Sequence, residues 1–235
     1  MQRNRACYGL TVAGLVMTVL PACVNRPLPS FVSLENPFQR DEVNEDSFGP
    51  TPVEQVKMLR RLANEAESLD LGRQERVSQD LARRVSSEAD PHLRQEIVKT
   101  LGSFSTVAAF QGLRAALSDG DTDVRIAACQ ALGRRENGEV VQMLAGVLGS
   151  DTEIDVRLTA VRELGRFQTM DALKALGSAL DETDPALRYR VIEALRKSSP
   201  HDYGGDIAAW KRYSLGENYS PSPAPTIAER FRQLF

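Results

Sequence analysis

The stretch DTDVRIAACQALG at residues 121–133 decides the fold of this chain. An acidic residue opens it, an arginine follows four positions later, apolar residues and alanines fill the middle, and Leu132-Gly133 closes it. The apolar positions recur every three or four residues, which is the period of an amphipathic helix. The stretch therefore predicts a helix of about a dozen residues that begins near Asp121 and ends at the glycine.

The same pattern occurs four times, with 31, 32 and 31 residues between successive arginines. Each arginine is followed seven residues later by a leucine. After each of the first three of these leucines, the next segment contains two more leucines, four residues apart. A period of this length indicates stacked helical hairpins that bury their apolar faces only against neighbours. We therefore predict an all-α fold, a right-handed α-solenoid of about five hairpins over residues 53–199. The repeated residues are Arg94, Arg125, Arg157 and Arg188, with Leu101, Leu132, Leu164 and Leu195.

Local signals within the repeats agree with helical hairpins. Asp90 and Asp184 precede prolines, the order typical of a helix N-cap followed by its first turn. The glycine after each of the first three leucines is expected to end its helix in the left-handed conformation. Arg196 replaces this glycine in the last repeat, and Leu62 stands where the first hairpin would carry its arginine. Both departures are typical of terminal repeats, whose neighbours differ.

The pattern D-x-x-V/L-R, followed by alanines and L-G, resembles the short bacterial HEAT-like repeats that also occur in phycobilin lyases. The resemblance is strongest over residues 90–199, and its motif is specific for the fold. It implies a solenoid that binds another protein. The resemblance to the lyases implies an alternative, a small-molecule or chromophore-binding cradle on the concave face, which rests on fold analogy alone.

The first 23 residues predict an export signal. Two arginines precede an uncharged apolar run at residues 10–20, which is shorter than the roughly 20 residues of a membrane-spanning helix. The following Leu20-Pro21-Ala22-Cys23 resembles the lipobox of bacterial lipoproteins. This resemblance implies that residues 1–22 are a removable signal peptide, that Cys23 is lipidated, and that the protein faces the periplasm or the exterior from a membrane of the bacterial cell envelope. An ordinary secretory signal and an uncleaved anchor are the alternatives.

The segments that flank the repeats differ from them in composition. Residues 23–52 contain five prolines and an acidic patch without periodicity, which predicts a disordered, flexible tether. Residues 200–219 break the repeat period and predict a cap on the last hairpin. Residues 220–235 predict a Pro/Ser spacer and a short amphipathic helix, which must dock on the solenoid or on another protein to persist.

Three groups of residues are candidates for a structural or a binding role. The arginines of the four repeats are expected to form a structural ladder that ties the repeats together, and a surface that grips an acidic partner is the alternative. A second basic series, Arg134, Arg166 and Lys197, is expected to complement the carboxyl ends of the first helices. Aromatic and aliphatic residues near the carboxyl end are candidate partner contacts, since such residues anchor interfaces. They are Trp210, Tyr213, Ile227, Phe231, Leu234 and Phe235.

Composition and motifs argue against several functions. The formal net charge is −3 and the part after residue 22 is more acidic still, which disfavours nucleic-acid binding. His92 and His201 have no spaced second ligand, so we expect no metal, and no cofactor is implied. No phosphate-binding loop, H-E-x-x-H or G-x-S-x-G motif occurs, so we expect no catalysis. Cys129 is expected to be a buried, unpaired thiol.

These observations predict a membrane-anchored, non-catalytic scaffold for protein–protein interaction. Its partner surface is expected on the second helices, where Gln111 and Arg114 lie. The ligand-binding cradle would instead need a cavity with clustered aromatic side chains. A third alternative is an architectural component of the cell envelope that self-associates.

Overall fold

The computed structural model describes residues 49–135 and 137–217. The predicted signal peptide, Cys23, residues 23–48 of the predicted tether and the candidate contacts Ile227, Phe231, Leu234 and Phe235 lie outside the described residues. The fold is the predicted all-α solenoid, with ten α-helices in the described ranges. They are α1 (Pro52–Glu65), α2 (Leu71–Ser87), α3 (Pro91–Leu101), α4 (Val107–Ala116), α5 (Thr122–Leu132), α6 (Gly138–Ser150), α7 (Ile154–Leu164), α8 (Met170–Ser178), α9 (Pro185–Ser198) and α10 (Ile207–Ser214).

The helices alternate between two layers. The odd-numbered helices form the first layer, in which α1, α3, α5, α7 and α9 each contact the next. The even-numbered helices form the second layer, where α2 packs against α4 and α8 packs against both α6 and α10. Side-chain caps begin nine of the ten helices, and Asp90, Asp121 and Asp184 accept backbone N–H bonds at the starts of α3, α5 and α9. Each such cap stabilises its helix by about 1 kcal/mol.

The repeated leucines form the centre of the core. Leu101, Leu132, Leu164 and Leu195 are fully buried, as are the second-helix leucines Leu113, Leu144 and Leu176. Burial of one such side chain contributes about 1.5–3 kcal/mol. Because each leucine is covered by helices of the neighbouring hairpin, this stabilisation exists only in the stacked array.

The glycines at the ends of the first helices do not take the expected left-handed conformation. Gly102, Gly133 and Gly165 have φ angles of −59°, −61° and −64°, all in the right-handed region. Within the described ranges, only Gly204 and Gly216 have positive φ. Backbone freedom is therefore not the reason for the glycine in the repeat.

The reason is the close approach of the next first helix. A Cβ atom on Gly133 would lie 2.5 Å from Oε2 and 2.6 Å from Cβ of Glu163 in α7. Equivalent atoms on the other two glycines would lie 2.9 to 3.0 Å from an alanine of the following first helix. Arg196 occupies the equivalent position in the last turn of α9, and no further first helix approaches it among the described residues, so a large side chain is tolerated there.

The fifth hairpin is completed by α10, which the sequence analysis assigned to a separate cap. The longer connection between α9 and α10, residues 199–206, displaces this helix from the 31-residue period. Asp206 accepts the Ala209 N–H at the predicted N-cap, and α10 packs against α8 and α9. It thus takes the place of a second helix in the last repeat.

Candidate functional site

The repeated arginines hold helix ends together. Arg94 donates two bonds to the Asp119 carboxylate, at 2.8 and 2.9 Å, and two more to the carbonyls of Glu88 and Ala89. Arg125 bonds the Asp151 carboxylate at 2.8 and 3.0 Å and the carbonyl of Asp119. Each guanidinium thereby joins the start of a first helix to the ends of the second helices before and after it. These bidentate bonds are charge-assisted, the strong class of hydrogen bond.

The ladder weakens toward the carboxyl end. Arg157 bonds the Leu148 carbonyl and the carboxylate of Glu182, which is 36% exposed. Arg188 has no ion pair among the residues that the structure describes. The first three arginines have only 12–17% of their side chains exposed. They are consequently poor candidates for binding a partner.

Electrostatics within the ladder follow from this geometry. Burial alone would raise the pKa of Asp119, but the bonds from Arg94 and from the Asp121 amide hold that pKa below its ordinary value. Asp151 behaves in the same way: burial alone would raise its pKa, but the bonds from Arg125 and from the Glu153 amide, together with the nearby arginine charges, hold that pKa below its ordinary value. The bond to Asp151 in turn raises the pKa of Arg125. The pairs remain charged at neutral pH.

The structure places Trp210 in the core of the last hairpin. Its side chain has 0% exposure, its ring packs edge-on against Tyr203, and its Nε1 donates to the Gly204 carbonyl at 3.0 Å. Tyr213 is partly buried beside it and donates its hydroxyl proton to the Ser198 carbonyl at 2.5 Å. Burial also raises the pKa of Tyr213. This placement corrects the expectation that Trp210 contacts a partner, because no partner reaches a fully buried ring.

The second basic series has diverse roles. Arg135, the neighbour of Arg134, donates to the carbonyls of Leu101 and Phe104, so it complements the end of α3 and not that of its own helix. Burial lowers the pKa of Arg135. Arg166 pairs with Glu163 at 3.5 Å. Lys197 has no ion pair in the described part of the chain.

A cavity of about 290 Å³ opens between α5, α7 and α9 of the first layer. Aliphatic side chains form much of its wall, while charged side chains of α7 and α9 surround them. It is large enough for one or two side chains of a partner. Its lining residues are Ile126, Asp155, Leu158, Thr159, Val161, Arg162, Gly165, Arg190, Glu193, Ala194 and Lys197.

Three cations surround this cavity. Arg162 is held in place by the carboxylate of Glu163, with 2.9 Å between Nη2 and Oε1, while 58% of its own side chain is exposed. Glu163 itself is 4% exposed. Arg190 and Lys197 are exposed and have no ion pair with any described residue. Of the two lining carboxylates, Glu193 is engaged by Arg196, and Asp155 lies in the first turn of α7.

A second cavity, of about 430 Å³, lies between α1 and α2 at the amino-terminal end of the described solenoid. Met58, Leu59, Leu62 and Leu81 line much of it, with Arg61 and Arg84 at its edge. Neither cavity is lined by an aromatic side chain. The clustered aromatics that a chromophore cradle would need are therefore not in these two places.

Among residues 49–135 and 137–217, no three His, Cys, Asp or Glu side chains are grouped as metal ligands, and no helix has the length and apolar character to cross a membrane. His92 and His201 are both exposed. Cys129 is a free, buried thiol, and its burial raises its pKa to about 12.

Sequence reasoning did not find the cavity on the first layer. In the sequence, Lys197 is only a charge near a helix end, and no local motif distinguishes Arg190. A comparison of equivalent repeat positions carries the missing signal, since Arg190 stands where earlier repeats have Glu96, Ala127 and Thr159. The expected surface residues Gln111 and Arg114 are exposed on α4, where Arg114 lies 3.7 Å from Glu139.

Comparison with known families agrees with the fold. A family profile described as HEAT repeats matches residues 78–157 and 147–203. No curated protein matches the chain. The similar solved structures include an engineered protein, with 16% identity and a TM-score of 0.44 over 72% of this chain and 91% of that one. Another is Cex1p, with 12% identity and a TM-score of 0.35 over 70% of this chain and 43% of that one. Both likenesses are too distant to bear on function.

Proposed function

The chain belongs to the HEAT-repeat family, whose profile covers residues 78–203, and on this basis we propose that it is a scaffold that binds another protein. From the sequence we further propose that this scaffold is membrane-anchored and non-catalytic. HEAT repeats generally mediate protein–protein interaction. Their stacked hairpins form an extended surface on which side chains at equivalent positions of successive repeats can contact a partner.

One observation favours a particular surface for this binding. The cavity between α5, α7 and α9 combines an aliphatic wall with exposed cations, among them Arg190 and Lys197. An apolar centre with a polar rim is the usual composition of a protein-binding site. The proposed partner surface is therefore the first layer, and not the second-helix face around Gln111.

The chemistry of the cavity supports binding more than catalysis. Its lining contains no histidine, cysteine, serine or tyrosine, and one of its two carboxylates, Glu193, is engaged by Arg196. Catalytic pairs place a nucleophile or acid within hydrogen-bond reach of a base. The side chains here supply charge and apolar contact.

The anchor is the part of the proposal that rests on sequence alone. Lipidation of Cys23 would attach the mature chain to a membrane, since each buried CH₂ group of an acyl chain contributes about 0.8 kcal/mol. Residues 24–48 would then separate the solenoid from that surface. Labelling with an alkyne analogue of palmitate tests this step in a bacterial host. We expect label in the wild-type chain and none in Cys23→Ser, and equal labelling of both would contradict lipidation.

Site-specific photo-crosslinking tests the scaffold. A photo-reactive residue at Tyr189, which is 60% exposed and adjoins Arg190, should yield a discrete crosslinked protein in cells. The same residue at Arg73, an exposed position of α2, serves as the control. If both positions give only the uncrosslinked chain, the first layer does not bind a partner protein.

A further inference from the structure

The spacing of the cations along α9 restricts what can bind over the first-layer cavity. Arg190 and Lys197 are seven residues apart on one helix, which is two turns, so both project from the same face about 10.5 Å apart. Glu193 and Ala194 lie between them and line the cavity. Because Arg196 engages Glu193, the two end cations carry the unbalanced charge of this face.

The opposite side of the cavity, on α7, carries one anion and one cation, Asp155 and Arg162. Leu158 and Arg162, on α7, face the cavity one turn apart. Arg162 is pre-positioned by its bond to the buried Glu163, so little side-chain freedom would be lost when it meets a carboxylate. On the α9 wall Ala194 thus lies between two cations, whereas on the α7 wall Leu158 lies between Asp155 and Arg162. The α9 wall suits a rod-like ligand with an apolar centre and acidic ends, and Arg162 adds a third cation opposite it.

We infer that the first-layer cavity binds an acidic amphipathic helix of a partner protein, with carboxylates seven residues apart and apolar side chains between them. In a helix, positions i and i+7 are also two turns apart, which matches Arg190 and Lys197. Positions i+3 and i+4 lie on the same face and would enter the 290 Å³ cavity. Binding of a helix in a groove through such anchors is a recurring mode of recognition.

This inference deepens the proposed function and rests on it. An anionic membrane surface would also meet cations, but an aliphatic cavity between them favours a side chain that inserts. Oppositely charged residues at the edge of an interface mainly determine specificity and association rate. Reversal of the charges should therefore change which ligand is preferred.

The test uses the full chain with Cys23→Ser and two fluorescent 15-residue peptides. The acidic peptide has glutamate at positions 4 and 11 and leucine at positions 7 and 8, and the basic peptide has lysine in place of both glutamates. We expect the wild type to bind the acidic peptide about tenfold more tightly than the basic one, as two exposed ion pairs allow. Arg190→Glu/Lys197→Glu should reverse this preference. Arg73→Glu/Arg76→Glu, an equal charge change on α2, should leave it unchanged.

Several outcomes would overturn the inference. Equal binding of both peptides, or a preference that survives Arg190→Glu/Lys197→Glu, would exclude this recognition. Binding of phosphatidylglycerol vesicles, lost in the same double variant and not accompanied by peptide discrimination, would instead assign the face to a membrane. The crosslinking result separates the two proposals. A partner still crosslinked at Tyr189 in the double variant would leave the scaffold standing and refute the acidic helix.

Discussion

Replacement of Gly133 by alanine tests the reason for the repeated glycine. The new methyl carbon would lie 2.5 Å from Oε2 and 2.6 Å from Cβ of Glu163. A side chain can rotate its oxygen away, but its Cβ is fixed to the backbone of α7. The first helices α5 and α7 must therefore move apart by a substantial fraction of an ångström.

The expected cost combines two terms. Overpacking of a close helix contact costs about 1–3 kcal/mol. Replacement of glycine by alanine restricts the unfolded chain, which offsets about 0.4–1 kcal/mol of that cost where the backbone is compatible. Since φ of Gly133 is −61°, alanine can adopt this backbone conformation. We expect a net destabilisation of about 1–2 kcal/mol.

Urea unfolding followed by circular dichroism measures this difference. Gly146→Ala is the matched control, because Gly146 lies within α6 with no heavy atom within 4 Å of its would-be Cβ. That variant should gain about 0.4–1 kcal/mol. Among the three glycine variants, the loss of unfolding free energy should increase as the distance from the new Cβ to its nearest neighbour decreases. Gly133→Ala should therefore destabilise the protein more than Gly165→Ala or Gly102→Ala, whose nearest atoms are at 2.9 and 3.0 Å.

A double-mutant cycle identifies the contact itself. Glu163→Gly removes the atoms that the new methyl group meets, so Gly133→Ala should cost about 1–2 kcal/mol less in that background. A strained left-handed backbone would give the same loss in both backgrounds. If Gly133→Ala stabilises the protein as Gly146→Ala does, the close approach of α5 and α7 is not the reason for the glycine.

Three further predictions concern other parts of the solenoid. Asp151→Ala, which leaves Arg125 largely buried without its carboxylate, should lower the free energy of unfolding by about 2–4 kcal/mol at pH 7. Because the folded-state pKa of Asp151 is below its ordinary value, the stability difference between wild type and variant should be full above the ordinary pKa and should disappear as the pH falls through the lowered pKa. A stability difference that does not change with pH would contradict the ion pair. Trp210→Ala should cost about 3–5 kcal/mol, whereas Tyr189→Ala, on an exposed side chain, should cost little in the same urea titration. Cys129, with its pKa raised to about 12, should resist a thiol reagent at pH 8 until the protein unfolds, and rapid labelling of the native chain would refute its burial.

Local patterns were enough to predict most of the fold. The 31-residue period, the caps at Asp90, Asp121 and Asp184, and the leucine positions are properties of residues close together in sequence. Helix propensity, capping and apolar periodicity act over one or two turns, so they can be read without knowledge of the neighbours. The HEAT-like resemblance rested on these features, and the structure and the family profile confirm it.

The candidate site depended on contacts that the repeat pattern does not contain. Trp210 has the residue type of an interface anchor, yet the packing of α10 on α8 and α9 buries it. Arg190 and Lys197 form a candidate site only together with Arg162 of the preceding repeat, because the stacking of the repeats places α7 and α9 on opposite sides of one cavity.

The sequence by itself determined the helices, their pairing into hairpins and the residues of the core. Only the tertiary structure decided why glycine ends the first helices, since the separation of α5 and α7 is set by whole-helix packing and not by the local backbone. It also decided which arginines form ion pairs inside the fold and which remain exposed. Arg94 and Arg125 form such pairs, whereas Arg190 remains exposed. The physical reason is that a charge is neutralised by whatever side chain folding places within a few ångströms, and that partner lies 25 or 26 residues away for Arg94 and Arg125.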